Sequence, residues 1–185
     1  MVEISLHILD IVQNSIKANA SSIKIDIDID TLKNYLKVEI SDNGSGMTDE
    51  FLKEVINPFC TSRTTRKVGL GIPLFKNACE QTGGSFEITS KLGEGTKVIA
   101  NFVFDSIDRQ PLGDMASTIL CAINTNDAID YVYHLSYNGN DFTFDTIKIR
   151  QTLGDEIPLS ETDVLLWIED YIKNETYNIC GGAYI

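Results

Sequence analysis

From Ile23 to Asp30 apolar and charged residues alternate without a break, Ile23, Ile25, Ile27 and Ile29 against Lys24, Asp26, Asp28 and Asp30. A period of two sends these sets to opposite faces, which predicts a strand with one buried and one wet face. Leu36 to Ser41 alternates in the same way, and the short link from Thr31 to Asn34 predicts an antiparallel hairpin. Upstream the period changes. Between Ser5 and Ala18, Leu9, Val12 and Ile16 recur at three- and four-residue spacing with Ile8 and Ile11 beside them, while His7, Asp10, Asn14 and Lys17 share a second face. That is an amphipathic helix with one core face and one polar face.

After the hairpin comes Asp42-Asn43-Gly44-Ser45-Gly46-Met47, then a short helix capped by Thr48 or Asp49, running to about Ile56 and stopped by Asn57-Pro58. Phe59 to Val68 has no periodicity and reads as a polar loop. A helix from Ile72 to Gln81 groups Leu74, Phe75, Ala78 and Cys79 on one side and ends at Gly83-Gly84. Strands Ser85 to Ser90 and Thr96 to Phe104 flank a turn at Gly93-Glu94-Gly95. Beyond Phe104, Asp105 to Gly113 reads as a linker. Met115 to Ile123 is a helix, Tyr131 to Tyr137 and Phe142 to Arg150 are strands around Asn138-Gly139, and Thr162 to Lys173 is a helix capped by Ser160 or Thr162. The pattern divides the chain into residues 1–104 and an accessory α+β unit, residues 105–185.

Composition narrows the function. In 185 residues, 43% hydrophobic, there is room for a sizeable core. The N-terminus lacks the pattern of a secretory signal, and no apolar stretch nears the roughly 20 residues that span a bilayer, so the expectation is a cytoplasmic protein with no membrane partner. Cys60, Cys79, Cys121 and Cys180 are far apart and form no C-x-x-C pair, which argues for free thiols over a zinc site. Of the net charge of −12, little arises before Phe104, with 11 Lys/Arg against 13 Asp/Glu; after it the ratio is 4 to 14. A surface this acidic does not suit nucleic acid, whose phosphates call for Lys and Arg.

Eight of the 13 glycines lie between Gly44 and Gly95, in pairs at element ends. In Asp42-x-Gly44-x-Gly46 a carboxylate leaves a strand end into a turn whose glycines allow positive φ and close backbone approach; a fixed carboxylate there could accept a hydrogen bond from an exocyclic amine. Gly69-Leu70-Gly71 opens a helix and offers free N–H groups and a positive dipole end to an anion such as phosphate. Arg63, Arg66 and Lys67 precede it as candidate cations over a phosphate chain. The third glycine of a dinucleotide-binding fingerprint is absent after both pairs, and no G-x-x-x-x-G-K-[ST] loop occurs, so the two common nucleotide motifs are excluded.

As an ordered set, Asp10-x-x-x-Asn14, Asp42-x-Gly44-x-Gly46, Asn57-Pro58-Phe59, Gly69-Leu70-Gly71 and Gly93-x-Gly95-Thr96 resemble the GHKL superfamily, the ATP-binding domain shared by gyrase, a heat-shock chaperone, sensor histidine kinases and mismatch-repair ATPases. The wording around Pro58-Phe59, Gly69-Leu70-Gly71-Ile72 and Gly83-Gly84-Ser85-Phe86 looks most like the histidine kinases. The resemblance covers residues 1–104. It implies a two-layer α/β sandwich of the Bergerat type, helices on one face of a mixed, largely antiparallel sheet, with ATP and Mg²⁺ under a lid. By the same resemblance Asn14 holds the Mg²⁺, Asp42 binds the adenine amine, Thr96 supports the adenine pocket, and Gly44 and Gly46 shape it. Gly69, Leu70 and Gly71 offer backbone groups to the phosphates, and Arg63 or Lys67 is the lid cation. Magnesium bound mostly by phosphates and water needs only one or two protein oxygens, which suits a single Asn.

Two departures qualify the expectation. The first helix starts within five residues of Met1, which leaves no room before it for the helical hairpin that carries the acceptor histidine of a sensor kinase, and His7 and His134 are expected to be ordinary satisfied or solvent-facing histidines. Asp10 stands where mismatch-repair ATPases and anti-sigma serine kinases carry a Glu general base; it is a candidate general base, or it orients a metal-bound water or Lys17. The reading is therefore a kinase-like or signalling ATPase acting on a separate protein partner. The alternatives are an ATP-hydrolysing conformational switch of the mismatch-repair and gyrase type, or a nucleotide-sensing module without turnover. The acidic unit is expected to cover a surface, bind the partner or form a homodimer.

Overall fold

A computed structural model describes residues 3–56, 69–154, 157–182 and 185. The elements run α1 (Ile4–Lys17), β1 (Ser22–Asp30), β2 (Tyr35–Asp42), α2 (Asp49–Ile56), α3 (Gly71–Gln81), β3 (Ser85–Lys91), β4 (Gly95–Val103), α4 (Met115–Thr125), β5 (Asp130–Tyr137), β6 (Asn140–Asp145), α5 (Thr146–Leu153) and α6 (Thr162–Cys180). The expected stop at Asn57-Pro58 and the loop with Arg63, Arg66 and Lys67 lie outside the described residues.

The strands form one six-stranded sheet in the order β3-β4-β2-β1-β5-β6, antiparallel except where β5 joins β1 in parallel. Period-two alternation locks the register, because a slip by one residue would turn every Ile of β1 to solvent. One row of partners crosses all six strands, Ile88, Val98, Ile40, Ile25, Tyr133 and Phe144 in turn, and every member is buried. The helices cover this face; the charges of β1 and β2 line the other. A two-layer α/β sandwich with a mixed, mainly antiparallel sheet is therefore the fold.

Several boundaries differ from the pattern-based reading. The sheet does not end at Phe104: β5 and β6, from the part expected to stand apart, extend it, and α4 packs beside α1. Parallel pairing of β1 with a strand some hundred residues later leaves no local trace in sequence. The strand expected over Phe142 to Arg150 stops at Asp145, whose carboxylate accepts from Ile147 N (2.9 Å) and caps α5. The last helix continues to Cys180 and ends on a left-handed Gly181. Neither Ser160 nor Thr162 caps it; Ser160 Oγ donates to Asp127 instead (2.5 Å). On α3, Leu74 is 42% exposed and Ile72 takes its place in the core beside Phe75, Ala78 and Cys79.

His7, placed by periodicity on the polar face of α1, is buried. Its ring stacks on Phe75 of α3 (centroids 5.3 Å apart, planes 13°) and its Nε2 meets Gln110 Oε1 at 3.1 Å. The segment holding Gln110 also clamps the first turn of α1, with Ile4 N and Ser5 N donating to Pro111 O and Leu112 O (2.9 and 2.8 Å). A helix packed against both α3 and this strap buries a wider arc than the sheet alone would demand.

Candidate functional site

The buried rows of the sheet end at Asp42, whose neighbours across the ladder are Ile23 on β1 and Thr96 on β4. Its carboxylate is fixed on both oxygens: Oδ1 accepts from Gly44 N (2.8 Å), and Oδ2 accepts from Ser15 Oγ on α1 (2.6 Å). Thr96 Oγ1 lies 2.9 Å from Ser90 Oγ, and Ser90 Oγ also accepts from Met47 N (2.9 Å) and bonds Gly95 O (2.9 Å). A polar floor of Ser15, Asp42, Ser90 and Thr96 thus joins α1 to three strands.

The turn after Asp42 is held from both sides. Asn43 Oδ1 accepts from Ser21 N and Ser22 N, both at 2.9 Å, while Ser45 N donates to Ala18 O and Gly93 N to Ser45 O, both at 2.8 Å. Two glycines are obligatory here. Gly46 has φ +63°, and a Cβ on it would sit 2.0 Å from Lys91 O; Gly95 has φ +108°, and its Cβ would sit 2.0 Å from Asp42 O. The turn and the β3–β4 hairpin approach so closely that no side chain fits between them.

Above this floor opens a cleft of about 460 Å³. Ile11, Met47, Phe51, Val55, Ile72 and Val98 supply apolar walls, and Asn14, Lys17 and Gly69 stand on its polar side. An apolar slot with a few fixed polar groups at one end is how proteins hold a flat heterocycle bearing a hydrogen-bonding edge. Leu70 is the N-cap of α3 and its apolar side chain makes no cap to the first N–H groups of this helix.

Of the residues singled out from sequence, Asn14, Asp42, Gly46, Gly69 and Thr96 line the cleft. Gly44 lies against Ala18 and Asp42, and Leu70 and Gly71 form the entry to α3. Asp10 does not line the cleft. It lies under Gly71, where a Cβ would come within 3.0 Å of Asp10 Oδ2, so the carboxylate is set beside the start of α3. Arg63 and Lys67 fall outside the described residues. Ser15, Asn43 and Ser90 escaped the sequence reading. Among the described residues no three His, Cys, Asp or Glu side chains group to hold a metal ion, and no helix is long and apolar enough to cross a membrane.

Residues 2–106 match the family of histidine kinase-, DNA gyrase B- and HSP90-like ATPases. The chain belongs to this family. Over 92 residues it is 32% identical to the sensor protein DegM of Bacillus sp. (strain B21-2), covering 50% of this chain and 24% of that protein. Over 91 residues it is 31% identical to sporulation kinase D of Bacillus subtilis (strain 168), covering 49% and 18%. The matched stretch is thus less than a quarter of either relative. Among solved structures, the N-terminal domain of a DNA repair protein superposes with a TM-score of 0.51 at 16% identity, covering 77% of this chain and 52% of that one. That likeness concerns the fold, and it covers more of the chain than the family match does.

Neither histidine is placed as an accessible phosphoacceptor beside the cleft. His7 is buried under Phe75, and His134 lies on the outer face of the sheet, its ring nitrogens 3.3 and 3.4 Å from carboxylate oxygens of Asp26 and Asp141.

Proposed function

We propose that the chain binds Mg-ATP in this cleft and serves as a kinase or signalling ATPase acting on a separate protein partner. The observation that carries the proposal is the doubly anchored Asp42 at the bottom of an apolar slot. A carboxylate fixed by Ser15 Oγ and Gly44 N keeps acceptor capacity for an exocyclic amine, and the purine then lies between Ile11, Met47, Phe51, Ile72 and Val98. Thr96, steadied by Ser90, closes the same floor.

The residues present also fit the metal. Asn14 is an exposed carboxamide lining the cleft, and its oxygen is a suitable hard ligand. Asn14 would hold the ion, whose chemistry there is to offset the negative charge of the phosphates. The start of α3, with Gly69, Leu70 and Gly71, is proposed to offer N–H groups to the phosphates, and Arg63 or Lys67 to add a cation. Asp10, beside Gly71, is the chain's candidate proton acceptor for a nucleophile attacking the γ-phosphate, or else orients water or Lys17. The acidic unit, residues 105–185, is proposed as the partner-binding or dimerising surface of a cytoplasmic protein.

Calorimetric titration of the full chain with ATP in Mg²⁺ tests the binding. Asp42→Asn should weaken it at least tenfold while changing the melting temperature little; an unaltered dissociation constant would sink the assignment. Incubation with γ-labelled ATP then separates the reactions. Label on a co-purified protein marks a kinase, free phosphate alone an ATPase switch, and neither, with or without partner, a sensing module.

A further inference from the structure

A second cavity, of about 550 Å³, lies between the N-terminal end of α4 and the C-terminal half of α6 and shares no lining residue with the nucleotide cleft. Its walls include Leu112, Met115, Ala116 and Ile172, with Tyr133 of β5 at its base. Tyr131 and Tyr133 point to the same buried face of the sheet, and their hydroxyls have different fates. Tyr131 Oη donates to the carbonyls of Ala122 and Asn126, each at 3.0 Å. Tyr133 is 0% exposed, and its hydroxyl has no hydrogen-bond partner among the described residues.

A buried hydroxyl without a partner carries a desolvation cost that a phenylalanine at the same place would avoid. Phe would fill the space equally well, edge-on to Phe142 as Tyr133 is (5.6 Å, 87°). We propose that the α4–α6 cavity is a second ligand site, which takes a small neutral molecule with an apolar body and a carbonyl oxygen that accepts a hydrogen bond from Tyr133 Oη.

The chemistry of the rim supports that class. Both oxygens of Asp114 are engaged by Ser117, through its N (2.9 Å) and its Oγ (2.6 Å), and Lys173 Nζ is held by Glu169 (2.5 Å). Glu3 adds a second carboxylate at the mouth. With two carboxylates against one already paired ammonium, an anion is disfavoured. Burial keeps the Tyr133 phenol neutral and therefore a donor. The volume is within the range of sites for small organic ligands.

The test uses fluorine NMR of the full chain with 4-fluoroacetophenone, saturating ADP being present to fill the nucleotide cleft, and 1-ethyl-4-fluorobenzene as the analogue without a carbonyl. Wild type should bind the ketone; Tyr133→Phe should weaken it at least fivefold, leave the ethyl compound unchanged, and melt at the same temperature or higher. Ala116→Leu, whose added atoms enter the cavity, should abolish both. The proposal fails if the ketone does not bind at millimolar concentration or binds Tyr133→Phe as well as wild type. It also fails if Tyr133→Phe melts several degrees lower, since the hydroxyl would then be satisfied by a trapped structural water.

Discussion

Ser15 Oγ donates to Asp42 Oδ2 at 2.6 Å, joining α1 to the end of β2 across 27 positions of sequence. The hydroxyl lies 3.2 Å from Ile11 O as well, so it is held between a helix carbonyl and the carboxylate that faces the cleft. Asp42 is consequently a positioned group and not a loose turn residue.

Ser15→Ala removes one of the two anchors of Asp42 and leaves its carboxylate partly unsatisfied in a half-buried setting. Hydrogen bonds to charged groups contribute about 1.5–3 kcal/mol, so ATP affinity is expected to fall roughly tenfold, equivalent to about 1.4 kcal/mol. If Ser15 acts through Asp42, the two are coupled: in calorimetry, adding Ser15→Ala to Asp42→Asn should cost clearly less than Ser15→Ala alone. Independent, additive losses would show that Ser15 works some other way.

The glycines of the site should divide sharply. Gly46→Ala meets both a positive φ and Lys91 O at 2.0 Å, so either the turn or the β3–β4 hairpin must move. A loss of roughly 2–4 kcal/mol in urea unfolding is expected, together with loss of nucleotide binding. A Cβ on Gly69 meets nothing within 4 Å among the described residues, so Gly69→Ala should stay within about 0.5 kcal/mol of wild type. Its backbone N–H survives the change, and ATP affinity should too. Equal stabilities for the two variants would contradict the close approach seen at Gly46.

What could be read from sequence follows from how local each cause is. The alternation of Ile23 to Asp30 determines a face without help from the rest of the chain, and Asp42 was legible because strand end, carboxylate and glycine turn are contiguous. Ser15 was not, since a helical Ser bonded to the carbonyl four residues back is commonplace and its partner is on another element. His7 was placed on the wrong face because the covering groups, Phe75 and Gln110, come from distant segments. Ile147 and Ile149 suggested a longer strand, but Asp145 acts as a cap and turns the backbone into α5. The parallel union of β5 with β1 depends on a connection that returns past α4, and neither strand records its neighbour.

Asp10→Asn separates binding from chemistry. Asp10 lies beside Gly71 and outside the cleft lining, so removal of its charge should leave ATP affinity within about threefold. If it accepts the proton of the attacking group, phosphate release or transfer should fall by about 10²-fold or more, the usual worth of a general base. A variant that retains wild-type turnover would leave Asp10 an orienting role only.

His7 makes stability pH-dependent in a stated direction. Burial holds its pKa below the ordinary histidine value of 6.5, against a smaller opposing effect of the Gln110 hydrogen bond. The folded state therefore favours the neutral ring, whose Nδ1 has no partner among the described residues and would become a second buried donor on protonation. In the unfolded chain His7 takes up a proton near its normal pKa, so the stability it confers is fully present above about pH 6.5 and is lost as pH falls through the lowered folded-state value. His7→Phe keeps the stack on Phe75 but cannot be protonated. Urea unfolding of both proteins from pH 7.5 to 5 should show wild type losing stability more steeply, the difference opening below about pH 6.5; parallel curves would mean that His7 is not protonated differently in the folded and unfolded chain.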